Sequence, residues 1–203
     1  MSASVDPEHY SAEERSLIQS IVSGNAQLFT VLVDRYQQRL FGSMLAMIGN
    51  RQDAEDLTQE TFLTAYHKLV QFENRSSFYT WLHRIAFNLA IDLQRRKGRT
   101  TKRHIGEDLS ESTHLHPTNS VTPQTIAMTN EIAMQVQQAL SKLDSERKNI
   151  IVLRDIEGLD YSEIAVILEL PIGTVRSRLH RARMELREIL QMSGVTNAEG
   201  SQS

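Results

Sequence analysis

The chain has 203 residues, with 22 Lys+Arg, 25 Asp+Glu and a formal net charge of −3. That length fits one ordinary domain or two small ones, and the charge, taken whole, argues against a simple basic nucleic-acid binder. Hydrophobic residues make up 40% and cysteine is absent, which supports a packed core, excludes disulfides, thiolate zinc sites and cysteine nucleophiles, and fits a cytoplasmic protein. No apolar run approaches the ~18 residues of a membrane span, and the opening MSASVDPEHYSAEE is too polar for a secretory signal.

Pro7, Pro117, Pro123 and Pro171 leave long proline-free stretches, and alternating strand patterns are scarce. An all-α chain is expected. Ser11 to Val22 predicts a short helix, with Ser11 and Glu14 spaced as a capping box. Asn25 is placed to cap a helix through Ile48, carrying Leu28, Leu32, Tyr36, Leu40, Met44 and Met47, and Gly49-Asn50 breaks it. A third helix presents Ala54, Leu57, Thr61, Phe62, Ala65 and Leu69 on one face. After the loop from Gln71 to Ser76, Ser76 or Ser77 can cap a fourth, striped by Phe78, Trp81, Leu82, Ile85, Ala86, Leu89 and Leu93.

The helical pattern stops at Gly98, and residues 98–124 read as a flexible linker rich in Thr, Ser, His, Gly and Pro. It resumes from Ile126 to Leu143. Another helix is expected from Ser145 to Ile156, ending at Gly158, and a short one from Tyr161 to Leu168 behind Asp160 and Glu163. A last helix opens near Pro171, which suits a first turn, and runs to about Met192. The expected organisation is an N-terminal segment (1–24), a first helical module (25–97), a linker (98–124), a second helical module (125–192) and a loose tail (193–203).

Resolved by segment, the charge is uneven. Residues 1–94 carry −4, residues 95–103 carry +6, residues 104–173 carry −7 and residues 174–187 carry +4. Two basic blocks, one per module, suggest two contacts with one polyanion; solvated helix ends are the plainer reading.

Leu159 to Arg187 reads as a helix-turn-helix with its turn at Glu169-Leu170-Pro171. At 100° per residue, Val175, Leu179, Ala182 and Leu186 face inward in its second helix. Ser177, His180, Arg181 and Met184 lie opposite, near Thr174, flanked by Arg176, Arg183 and Arg187 on one edge and Arg178 on the other. A polar centre flanked by guanidinium groups suits base and phosphate contact, and Ser177 and Arg181 are the candidates for bases. On the third helix, Asp56, Gln59, Glu60 and Leu63 oppose the core face. A leucine amid acids suits a partner with a basic surface, though scattered surface leucines are common. The fourth helix has a polar stripe of Arg84, Asn88, Asp92 and Arg95. In the loop before it, Phe72 is ambiguous, Phe78 and Trp81 fall in the apolar stripe, and Tyr79, off the stripe, is the candidate for stacking on an unpaired base. Asn74, Arg75, Ser76 and Ser77 can hydrogen-bond such a base or serve ordinary turn and cap chemistry.

The segments DAEDLTQETFLTAYHKL, FENRSSFYTWLHRIAFNLAIDLQRRKGR and GLDYSEIAVILELPIGTVRSRLHRARMELR resemble, in order, regions two and four of bacterial sigma-70 family factors of the extracytoplasmic function, sigma-E-like class. The resemblance implies a non-enzymatic promoter-specificity subunit of RNA polymerase with no cofactor or metal. It implies that Asp53, Asp56, Gln59, Glu60 and Leu63 dock on the clamp helices of the polymerase's largest subunit, with further contact at its flap region. Phe72 to Phe78 would form the loop that captures a flipped base of the −10 element. Tyr79, Arg84, Asn88, Asp92, Arg95 and Arg96 would lie along that element, although Asp92 sets an acid against phosphate. Thr174, Arg176, Ser177, Arg178, His180 and Arg181 would read the −35 element. A linker of about 27 residues extends to roughly 85–90 Å, more than two duplex turns of about 34–36 Å each. An anti-sigma partner, membrane-bound or cytoplasmic, is a further expectation. The competing readings are a stand-alone helix-turn-helix regulator, a metal-dependent nuclease built on Asp53, Asp56 and Glu60, and a zinc site at His104, His114 and His116 in the linker.

Overall fold

The computed structural model describes residues 7–103 and 135–192, and the expected helix over 126–134, the linker beyond 103 with its three histidines, and the tail lie outside them. Among the described residues the secondary structure is entirely helical. The order is α1 (Pro7–Val22), a 3₁₀ turn (Ala26–Leu28), α2 (Phe29–Ile48), α3 (Arg51–Lys68), a second 3₁₀ turn (Leu69–Gln71) and α4 (Phe78–Arg103). After these come helical residues 135–141 (α5), α6 (Ser145–Ile151), a π-helical turn (Val152–Ile156), α7 (Tyr161–Leu168) and α8 (Ile172–Met192).

Three helix boundaries differ from the sequence expectation. α1 begins at Pro7, so Ser11 lies inside the helix and not at its start; proline at a helix start is preset for the first turn. Asn25 makes no side-chain cap, because the 3₁₀ turn intervenes before α2. α4 runs through Gly98 to Arg103. A lone interior glycine costs only about 1 kcal/mol against alanine, and the flanking arginines and lysines are good helix formers.

In α2 the buried Leu32, Tyr36, Leu40, Met44 and Met47 follow helical spacing. Gly49, at φ 79°, ends the helix by donating its N–H to Leu45 O, and Asn50 starts α3 by accepting from the Asp53 N–H. The buried face of α3, with Ala54, Leu57, Thr61, Phe62 and Ala65, then lies against α2 and α4. The second half forms around α6, α7 and α8, with Ile150, Leu153, Ile164, Ile167, Val175 and Leu179 almost wholly excluded from solvent.

The halves are not separate bodies. Their buried side chains form one contiguous apolar cluster. α4 packs on α7, and α2 packs on α6 and the π-helical turn. Nothing in the period of any single helix anticipates this seam.

Candidate nucleic-acid interface

Local signals build the helix-turn-helix. Asp160 accepts from the Glu163 N–H at 2.8 Å, and the Glu163 carboxylate accepts the Asp160 N–H at 2.9 Å, a complete capping box. The Ser162 hydroxyl, together with the Glu163 N–H, holds the Asp160 carboxyl below its usual value. Glu169 takes a left-handed conformation (φ 54°) that turns the Leu170 N–H back onto Ala165 O at 3.0 Å. Pro171 O then accepts from Thr174 and Val175 and opens α8.

Val175, Leu179 and Ala182 of α8 are buried, whereas Arg176, Ser177, His180, Arg181 and Met184 are exposed, with Thr174 and Arg178 half-buried. The basic side chains here are partly committed within the chain. Arg178 pairs with Glu146 at 2.7 Å, Arg183 pairs with Asp155, and the Arg176 guanidinium lies 5.4 Å over the Tyr161 ring. Arg181 makes no ion pair among the described residues and borders a polar depression with Asp144, Glu146, Arg147 and Arg178.

In the first half, Arg84, Asn88, Asp92, Arg95 and Arg96 share the exposed face of α4. The Asp92 carboxylate is 3.9 Å from the Arg95 guanidinium, so the anomalous acid has a basic neighbour on its own helix, and its backbone carbonyl accepts from Arg96 at 3.3 Å. In the loop before α4, Asn74 is left-handed (φ 56°) and Arg75 pairs with Glu73 at 2.7 Å. Ser77 is the cap of α4, accepting from the Thr80 N–H at 3.0 Å. Phe72 is half-buried against Phe78 and Trp81, and Ser76 is partly covered.

Tyr79 corrects the sequence expectation. It is 4% exposed and stacks on Tyr36 with centroids 5.1 Å apart. In this conformation it offers no face to a base. Its hydroxyl donates to Glu157, from the far half, at 2.6 Å. His83, wholly buried, has Nε2 3.1 Å from that hydroxyl and 3.8 Å from the Glu157 carboxylate. Because the tyrosine proton points at Glu157, a consistent assignment has His83 Nε2–H donating to the tyrosine oxygen. Arg39 completes the cluster. Its Nε is 2.9 Å from the same carboxylate, its Nη2 is 2.6 Å from Glu157 O, and its guanidinium lies 4.1 Å over the Tyr79 ring. Burial pushes the Glu157 carboxyl up, but His83, Tyr79 and Arg39 more than offset it and hold it below the usual carboxylate value. Burial and Glu157 push the Tyr79 phenol well above its usual range. Neither Arg39 nor Glu157 was singled out by sequence reasoning, since each acts across a gap of 118 residues that local periodicity does not register.

On α3, Asp56, Gln59, Glu60 and Leu63 are exposed, Leu63 by 63%, as the helical wheel required. Asp53 differs. It is half-buried and its carboxylate is paired with Lys97 of α4, so it braces the fold. Asp56 accepts from Gln52 at 3.2 Å. The nuclease reading thereby loses its first carboxylate, and among the described residues no group of three or more His, Cys, Asp or Glu could hold a metal ion. No helix among them is long and apolar enough to cross a membrane.

A capped helix-turn-helix with a polar, arginine-flanked outer ridge, preceded by a helical bundle with one basic and one acidic face, has the form of a DNA-binding protein. The Sigma-70 region 2 family matches residues 32–100 and the Sigma-70 region 4 family matches residues 133–186. The chain is 35% identical over 183 residues to the ECF RNA polymerase sigma-E factor of Haemophilus influenzae, covering 88% of this chain and 95% of that one. It is 33% identical over 177 residues to the ECF RNA polymerase sigma factor SigW of Bacillus subtilis, covering 86% and 95%. Among solved structures it is similar to the sigma factor RpoE of Bartonella quintana in complex with the anti-sigma factor NepR (TM-score 0.66, 28% identity, 80% and 96% covered). It is also similar to CnrH in complex with the cytosolic domain of CnrY (TM-score 0.65, 29% identity, 88% and 97% covered). The chain belongs to the extracytoplasmic function family of RNA polymerase sigma factors.

Proposed function

We propose that this sigma factor joins core RNA polymerase through the exposed α3 face of Asp56, Gln59, Glu60 and Leu63, set against the clamp helices of the largest subunit, with the second half at the flap region. The loop from Phe72 to Ser77 and the α4 face of Arg84, Asn88, Arg95 and Arg96 meet the −10 element, and α8 meets the −35 element through Thr174, Arg176, Ser177, Arg178, His180 and Arg181. Trapping an unstacked base drives melting, at a cost of a few kcal/mol met by loop contacts and by phosphate pairing with the basic blocks.

One observation carries this reading: the outer ridge of α8 keeps Arg176, Ser177, His180 and Arg181 exposed behind a capped helix. A polar ridge open to solvent is what groove entry needs. The similar sigma factor RpoE of Bartonella quintana was captured with the anti-sigma factor NepR, which supports a partner of that kind for this chain, membrane-bound or cytoplasmic.

The test is reconstituted run-off transcription with core polymerase and this chain on a promoter library. Discrete initiation sites are expected only when both are present. Initiation no more specific than with core alone refutes the proposal.

A further inference from the structure

The arginines of α8 are restrained unequally. Arg183 donates from both Nε, at 3.1 Å, and Nη2 to Asp155 of the π-helical turn, so the forked edge of its guanidinium is filled. Arg178 is held by Nη1 alone, 2.7 Å from Oε2 of Glu146 in the first turn of α6. A guanidinium carries five N–H donors in a fixed fork. Arg178 is thus pinned at one corner, and among the described residues its Nε and Nη2 edge has no acceptor. Arg181 borders the same polar depression of about 220 Å³ as Glu146 and Arg178.

The placing of Glu146 is local. Asp144 caps α6 by accepting the Arg147 N–H at 2.9 Å. The Arg147 guanidinium is engaged by Asp144 at 2.6 Å and by Glu185 at 2.9 Å. That leaves Glu146, one residue earlier, to meet Arg178. Stability does not account for the pair. Its side chains are 71% and 38% exposed, and an ion pair so open to water contributes little to a fold.

We propose that Glu146 is a specificity-determining residue of the −35 interface that touches no base: it positions Arg178, pinning one corner of the guanidinium so that the open edge meets a base. The inference rests on the reading of α8 given above and adds a residue outside α8 that sets its selectivity. The physical reason is geometric. A guanine edge takes an arginine bidentately, in one plane. Phosphates position the protein without carrying sequence. Tethering Arg178 removes orientations that serve only phosphate, and the Glu146 charge beside it opposes a phosphate at the same place. Both effects favour reading over sequence-independent binding.

The test compares four full chains as holoenzyme with core polymerase: unaltered, Glu146→Gln, Arg178→Ala and the double variant. Each transcribes a library holding every single-base change of the −35 element, at one fixed salt. Each preference is a ratio within one chain, so the amount of active protein cancels. Arg178→Ala is expected to flatten preference at one base pair or two adjacent ones. Glu146→Gln should flatten the same position by about threefold to fivefold, the range open to an exposed pair, and leave the other positions as they are. The double variant should be no flatter there than Arg178→Ala. If Glu146 merely repels DNA, Glu146→Gln scales all promoter variants by one common factor, and that result overturns the proposal. So does unchanged preference in Glu146→Gln, flattening at a position that Arg178→Ala leaves alone, or Arg178→Ala that flattens none. In each of these cases specific initiation by the unaltered chain leaves the sigma reading standing. Its failure to initiate specifically refutes that reading, and the role of Glu146 with it.

Discussion

The rings of Tyr36 and Tyr79 stack in the middle of the molecule, and each hydroxyl is held by a carboxylate from elsewhere: Tyr36 by Glu14 of α1, Tyr79 by Glu157 of the second half. The stack ties the N-terminal helix to the seam. α1 lies outside the segment matched by the region 2 family, yet Glu14 is buried and also 3.8 Å from Arg35.

Replacing Tyr79 with phenylalanine keeps the ring and removes the donor. A buried hydrogen bond to a charged group is worth about 1.5–3 kcal/mol, and Tyr79→Phe should lower unfolding stability by that order. Urea denaturation of the two chains measures it, and equal midpoints with equal slopes would show that the bond contributes nothing net.

Acid should expose the Glu157 interaction. Its carboxyl is held below the ordinary value of 4.5. A depressed carboxyl stabilises the fold above its unfolded value and loses that contribution as pH falls through its folded value. The stability gap between the native chain and Glu157→Gln should therefore be full at pH 7 and shrink below about pH 4.5. The phenols of Tyr36 and Tyr79 are raised above 10.0. Their sign is opposite, with full stabilisation below pH 10 and a decline as pH climbs beyond it. Urea midpoints across pH for both chains check the two limbs, and a gap independent of acid pH contradicts the first.

The capping box offers a cleaner local test. Asp160→Ala removes the acceptor for the Glu163 N–H and should cost about 1 kcal/mol, the usual worth of such a cap. The loss should appear in thermal unfolding and leave the affinity for core polymerase unchanged.

Two exposed residues separate the proposed interfaces. Arg181→Ala should cost about 1–3 kcal/mol at the base pair it reads and relax preference there, seen by comparing promoter variants with holoenzyme. Glu60→Ala should weaken core polymerase binding several-fold while leaving the affinity of the free chain for DNA unchanged. Full polymerase affinity in Glu60→Ala would put the docking face elsewhere.

The parts of this fold that the sequence made legible are local. Asp160 and Glu163 announce α7 by their spacing, and the wheel of α3 separates Ala54 and Ala65 from Glu60 and Leu63 as the structure does. Tyr79 misled because it falls off the apolar stripe of its own helix. It is buried by Tyr36 of α2 and by a chain segment 78 residues away, and the period of α4 does not register where either of them packs. Glu157 was hidden for the same reason, since an isolated acid before a glycine reads as a solvated helix end. Asp53 shared a wheel face with Asp56 and Glu60, but Lys97 lies across from it on another helix.

Glu163 spends one carboxylate oxygen on the Asp160 N–H and the other on Thr80, and Thr80 in turn is held by Ser77 through both its N–H and its hydroxyl. Each side of the joint is thus finished without the other. α7 therefore holds its own start and α4 its own, and the Glu163–Thr80 bond joins two helix ends that are each already capped. The contact between α4 and α7 thus adds a bond between two finished helix starts and shapes neither of them.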